Sequence, residues 1–234
     1  FFLCLCKIET NFIAMDSDES FSQFYYGLTA VFFTFWSLTW IYFYHTSKGN
    51  IHIWGNSAVI SNLHSIPVCA FGILSIIGVF PNEYIPLTFS FSFFLVDLAD
   101  CIIRRDAPFF VHAVISIGLI ATATFHPSHP LWQLTSLSKG MLTEASTPFL
   151  NRWKATKTKK DFVIFFVMYT LFRIIWVPYF VYEIYDAVGK VDAVCFVSAA
   201  YYALQAAWYT RMISMLRNYK DPDKTKSEKD GKTE

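Results

Sequence analysis

Seven stretches of this chain carry few or no charges, and short clusters of lysine and arginine mark many of the breaks between them. They fall at 24–45, 53–80, 86–104, 107–125, 131–149, 161–186 and 191–217. Each is near the length that lets a helix cross about 30 Å of hydrocarbon. In lipid such a segment satisfies its backbone polar groups only by closing them into a helix or a barrel, and the long unalternating runs specify helices. Only 16% of the 234 residues are charged and 54% are hydrophobic, whereas a soluble domain is about 25% charged. The expected fold is all-α: a polytopic membrane protein with one bundle of about seven transmembrane helices over 24–217. Residues 1–23 form an N-terminal segment, partly disordered, within which Met15 is an alternative start. Residues 218–234 form a disordered, charged tail.

Prolines punctuate the pattern. Pro81, Pro86, Pro108, Pro127, Pro130 and Pro148 stand at or near proposed helix ends, whereas Pro67 and Pro178 fall inside helices and should kink them. Basic residues set the orientation. Lys48, the Arg104–Arg105 pair, the cluster from Arg152 to Lys160 and the C-terminal lysines occupy every second loop and the tail, and the alternate loops carry only Lys190. The tail and these loops are expected on the cytosolic side. A net charge of +1 gives no field for nucleic acid. Five cysteines without a CxxC pair suggest neither a disulfide framework nor a zinc site, and no cofactor or metal site is read from the chain. Trp36, Trp40, Tyr42 and Tyr44 read as anchors at the membrane interface.

The exceptions inside the apolar stretches carry the functional signal, because an ionisable group at membrane depth is a site candidate by default. Counted from the basic loops at about 1.5 Å per residue, Asp100 lies roughly 7 Å deep, Asp97 roughly 12 Å, His112 and Glu144 roughly 8 Å, and His64 and Arg173 roughly 18 Å. Asp97, Asp100 and Arg104 share one helix face by their i, i+3, i+7 spacing. A central charge costs about 2.5–3.5 kcal/mol on insertion scales, so these groups must pair inside the bundle or line a wet cavity. Structural ion pairing between helices is the plain alternative for Asp97, Glu144 and Arg173, and a satisfied packing histidine for His64. The site reading is a cytosol-facing polar pocket with phenylalanine and tyrosine walls, built by His64, Asp97, Asp100, His112, Glu144 and Arg173, and suited to an acyl-bearing amphiphile.

Several of these residues sit in motifs that resemble the TLC domain family, which includes ceramide synthases, TRAM-type translocon proteins and smaller TLC domain-containing proteins. The stretch from Trp54 through Ser57, Ser61, His64 and Ser65 is similar to the family's W-N-x-x-x-S-x-x-H opening, although an arginine is usual where Ser57 stands. Asp97 resembles its aspartate at the end of an aromatic-rich helix, and Asp106 to His112 its D…H-H element. The run from Glu144 through Ser146, Thr147, Pro148, Phe149, Asn151, Arg152 and Trp153 resembles the E-x-S-T-P-F-x-N-x-R-W signature, with the spacer before the arginine lost. Phe172 and Arg173 followed by Pro178 resemble the penultimate helix. The resemblance covers about 50–217.

Ceramide synthases carry paired histidines where this chain has His112 and Ala113, and paired aspartates where it has Thr143 to Ser146. The resemblance therefore implies the non-synthase branch, whose members are linked to membrane lipid composition, sensing or trafficking. The leading expectation is a non-enzymatic lipid binder of the endoplasmic reticulum or plasma membrane, with membrane lipids as partners and a homo-oligomer compatible with the bundle. Two alternatives stand beside it. One is an acyl-CoA-dependent N-acyltransferase, in which His112 is base or acyl carrier oriented by Asp97 or Glu144. The other is a translocon-associated scaffold whose charges are purely structural.

Overall fold

The computed structural model describes residues 18–46, 54–80, 83–124, 136–188 and 193–219. Among them every regular element is a helix. α1 spans Asp18–Thr46, α2 Trp54–Ile76, α3 Tyr84–Arg104 and α4 Ala107–Thr124. The following stretch is broken into α5 (Ser136–Met141), a 3-10 turn (Leu142–Ser146) and α6 (Thr147–Thr156). α7 (Lys159–Tyr169) runs through a π-helical turn (Thr170–Ile175) into α8 (Trp176–Val188), and α9 covers Ala193–Arg217. Met15, Lys48, Pro81, Pro127, Pro130, Lys190 and the tail beyond Tyr219 lie outside the described residues.

Four helical stretches are long and apolar enough to cross a membrane: Gln23–Thr46, Ala58–Ile76, Tyr84–Arg104 and Lys159–Asp186; Ala107–Thr122 is apolar but shorter. Together with the absence of strands among the described residues, they make this an all-α polytopic membrane protein. The fifth segment departs from expectation. It was expected as one helix over 131–149, but among the described residues helix continues from Ser136 past 149 to Thr156, in three pieces. Pro148 explains the break. It has no N–H for the carbonyl of Glu144, four residues back, and the Thr147 N–H takes that carbonyl instead, in the i→i−3 pattern of a 3-10 turn. Pro178 has the complementary effect. Its ring excludes the Ile174 carbonyl, and the preceding turn widens to π geometry, with the Trp176 N–H reaching back to the Leu171 carbonyl. Both irregular turns flank the polar centre described below.

The described basic segments, at the ends of α3, α6 and α9, gather at one end of the bundle. Arg105 closes α3 in the left-handed conformation (φ 59°), which lets its N–H reach the Cys101 and Ile102 carbonyls. The Lys154 ammonium lies 5.4 Å from the centre of the Phe109 ring, joining the end of α6 to the start of α4. The Tyr219 hydroxyl donates to the Lys157 carbonyl, bringing the end of α9 to the same side. Arg152 pairs with Asp161 at 2.8 Å, and Thr156 and Thr158 donate to the same carboxylate at 2.6 and 3.0 Å. At the opposite end Glu83 accepts the Ser138 backbone N–H at 2.8 Å through one oxygen, while its other oxygen is buried without a partner. Burial holds this carboxyl above the usual carboxylate range.

α1 packs along α3 through Trp36, whose indole N–H donates to the Phe89 carbonyl at 3.1 Å. This corrects one expectation: Trp36 is 1% exposed and belongs to the core, not to an interfacial belt. Tyr42 and Tyr44 on the same helix are exposed. A second aromatic cluster, Phe162, Phe165 and Tyr169 of α7 with Met212 of α9, fills the basic-loop end of the bundle.

Candidate functional site

Because α6 extends to Thr156, Glu144 is deeper than the sequence count placed it. It lies 12 residues from that end, about 18 Å at helical rise. His64 is 10 residues into α2 and Arg173 is 14 residues beyond the start of α7, roughly 15 and 21 Å deep. The three therefore meet near mid-depth. Arg173 is the centre of the assembly. Its Nε donates to the Thr143 carbonyl at 3.1 Å and to Ser146 Oγ at 2.9 Å. Nη1 donates to Gln205 Oε1 at 3.2 Å, and Nη2 to Glu144 Oε1 at 3.3 Å and Thr147 Oγ1 at 3.2 Å. The 3-10 turn supplies the acceptors that an unbroken helix would point elsewhere, and the π turn delivers the guanidinium to them. Glu144 is completed by Thr147, which donates to its second oxygen at 2.7 Å. Gln205 accepts from Tyr169 as well, at 2.6 Å. A buried charge of each sign is thus neutralised and hydrogen-bonded, as membrane depth requires.

Beside this cluster lies a cavity of about 110 Å³, or about 830 Å³ of atom-free space when its mouth is included. His64, Ser90, Thr143, Glu144 and Tyr201 form its polar end. His64 is 2% exposed, stacks on Phe93 at 3.9 Å between ring centres, and shares a 3.0 Å hydrogen bond with Ser90 Oγ. Tyr201 donates to Thr143 Oγ1 at 3.2 Å. The remaining walls are mostly aliphatic, including Leu87, Ile120, Leu137, Val177 and Ile184, with Phe94 and Phe180. Two expectations need correcting here. The aromatic walls are few: Phe89 and Phe93 pack around Trp36 instead, and Phe162 and Phe165 around Trp153. The cavity also does not run toward the basic loops. Leu87 is in the first turn of α3, Val194 in the first turn of α9 and Ile184 in the last two turns of α8, so it extends toward the opposite end.

The remaining expected site residues fall outside its walls. Asp100 is engaged by Arg104 at 2.7 Å, and Arg104 also meets Asp106 at 3.2 Å, closing a partly buried cluster at the basic-loop end. Asp97 is half-buried one turn deeper on α3, with no ion pair or hydrogen bond among the described residues. His112 lies between the two layers. Its ring is 5.7 Å from Phe94, 5.9 Å from Tyr201 and 5.7 Å from Trp208, and its Nδ1 is buried without a partner. Ala113 beside it is fully buried. The side chain of Ser57 lies outside the described residues. Of the six, His64, Glu144 and Arg173 converge; His112 adjoins them across Tyr201, and Asp97 and Asp100 stand apart.

Ser90, Thr143, Tyr201 and Gln205 were not singled out in the sequence, because the count of polar groups was confined to ionisable ones. Gln205 was the available signal: a lone amide on an otherwise apolar face must find partners as surely as a charge.

Comparison with known proteins supplies the family. The family model described as "TLC domain" matches residues 56–216. No curated protein and no solved structure matches the chain. The matched region runs from the start of α2 to the end of α9 and so contains the polar centre, the cavity and both irregular turns: the chain belongs to the TLC domain family.

Proposed function

We propose that this TLC-domain membrane protein binds an acyl lipid in its interior cavity and thereby takes part in sensing or maintaining membrane lipid composition. The observation that carries the reading is a void with aliphatic walls ending in a charge-neutral polar cluster, the combination of many apolar contacts and a few orienting polar groups that marks a small-molecule site. The basic-loop end is taken to face the cytosol, in the endoplasmic reticulum or plasma membrane, which leaves the cavity in the other half of the bilayer. Native mass spectrometry of protein gently extracted from its own membrane tests the reading. A lipid adduct that survives detergent exchange, together with an altered lipid profile in a null strain, is the expected result. A bare polypeptide mass and an unchanged profile contradict it.

An acyltransferase is the second reading, favoured by one observation: the unpartnered Nδ1 of His112, buried next to Tyr201 at the head of the cavity. A general base requires a hydrogen-bonding partner to orient it. The Glu144 oxygens are taken by Arg173 and Thr147, so in this state neither carboxylate expected for the task holds His112. Purified protein given acyl-CoA and a long-chain amine distinguishes the two: N-acyl product abolished by His112→Ala supports the enzyme.

A further inference from the structure

We infer that the cavity is built for an uncharged, hydroxyl-bearing single-chain amphiphile, in the class of long-chain alcohols and monoacylglycerols. The hydroxyl would sit beside Ser90 and Tyr201, with the chain directed toward the ends of α8 and α9 remote from the basic loops. This inference rests on the lipid-binding reading and names the ligand chemistry.

Among the described residues the walls present no lysine or arginine. Arg173 is not among them, and its three guanidinium nitrogens are committed to five acceptors. Lys139 is also off the wall and is held by Glu183 at 2.5 Å. A carboxylate or phosphate head would therefore be desolvated near mid-depth without a counter-ion, which is strongly disfavoured. A cationic head fares no better. Among the described residues the carboxylate on the wall is Glu144, and Arg173 and Thr147 already occupy it.

What the polar end does offer is a set of neutral donors and acceptors. Ser90 Oγ and His64 Nε2 share one hydrogen bond at 3.0 Å, leaving the serine oxygen with spare capacity. Tyr201 donates to Thr143 and keeps its lone pairs. Ser116 and Ser198 add hydroxyls to the wall that no group among the described residues engages. A hydroxyl group, donor and acceptor at once, satisfies such a set where a single-sign ion cannot. The polarity gradient sets the direction. The aliphatic walls lie beyond the polar end, toward Ile184 and Val194, so the head is the deep part of the ligand and the chain follows it. Burial of the head at mid-depth is tolerable only if it is uncharged.

The test uses the full chain in nanodiscs and a hexadecanol derivative bearing a diazirine and an alkyne, with crosslinked peptides mapped by mass spectrometry. Labelling of α8, α9 or the 3-10 turn, competed by hexadecanol at concentrations at least about tenfold below those of hexadecanoate, hexadecylamine or hexadecyl phosphate, is expected. Equal or stronger competition by a charged compound overturns the inference while leaving a lipid pocket in place. Failure of the alcohol probe and of its carboxylate and amine counterparts to label any cavity peptide overturns both readings. Ser90→Ala should weaken hexadecanol competition about three- to tenfold without changing the affinity order among the charged compounds. Ser198→Lys should move the preference toward hexadecanoate; if that variant does not fold, the competitor order on the unsubstituted protein still decides.

Discussion

Replacing Arg173 by methionine should destabilise the bundle far more than the loss of a surface charge would. Methionine matches much of the arginine stem's length and flexibility, so the effect isolates the guanidinium. Its removal frees five acceptors, but they do not suffer equally. Gln205 Oε1 keeps its hydrogen bond from Tyr169, and Thr147 still donates to Glu144. The dominant loss is the compensation of the Glu144 carboxylate, 12% exposed and near mid-depth. Breaking a buried pair by removing one partner costs about 3–5 kcal/mol. For a chain of this size each kcal/mol moves the melting temperature about 2–4 °C, so a fall of roughly 6–20 °C is expected. The assay is thermal unfolding in detergent followed by tryptophan fluorescence. The double variant Arg173→Met with Glu144→Gln removes both charges and should recover to within about 2 kcal/mol of the parent, because a buried pair is worth little against neutral groups. A single variant within about 1 kcal/mol of the parent, or a double variant no better than the single, refutes the idea that charge neutralisation organises this centre.

Three further outcomes follow from other parts of the molecule. Burial raises the Glu83 carboxyl above its unfolded value, so its neutral form suits the fold; stability should be greatest below the usual glutamate range and decline as pH rises through the folded pKa. Glu83→Gln should remove that decline and be the more stable protein at neutral pH in melts across pH 4–8, and a parent that gains stability over the same range contradicts this. A Cβ on Gly72 would meet the Ser138 carbonyl oxygen, a backbone atom, at 3.0 Å, whereas one on Gly118 meets only the Val197 side chain at 3.7 Å. Gly72→Ala should therefore cost about 1–2 kcal/mol net of its propensity gain, and Gly118→Ala should be neutral or stabilising by up to about 1 kcal/mol, both read by the same melts. Trp36→Ala, which empties a site 1% exposed and strands the α1–α3 contact, should cost about 3–5 kcal/mol; a loss below about 1 kcal/mol would mean that α1 is not anchored there.

The fold was legible in the sequence because lipid leaves a backbone few choices: each of the seven apolar stretches contains helix. The fifth was misplaced because hydropathy does not register what Pro148 does to the Glu144 carbonyl, and the seven-residue extension to Thr156 shifted every depth counted along that segment. That shift is why Glu144 looked level with His112 when it is level with Arg173. The spacing of Asp97, Asp100 and Arg104 puts them on one helix face, but near the loop end Arg104 takes Asp100 away from the walls of the interior cavity. His64 and Glu144 were visible as cavity residues because they are ionisable. Ser90, Thr143 and Tyr201 were not, since serine, threonine and tyrosine are common in such helices and only tertiary contact distinguishes these three. Trp36, expected at the interface and found in the core, carries the same composition signal as an interfacial tryptophan; its burial depends on which face α3 covers.

Whether the mid-depth polar cluster terminates a lipid-filled cavity is decided by a high-resolution map of the protein in nanodiscs made from its native membrane. Elongated density is expected between α3, α4, α8 and α9, ending within hydrogen-bonding distance of Ser90 or Tyr201. A collapsed interior, with side chains closed over His64 and Glu144 and no density between the helices, would contradict it.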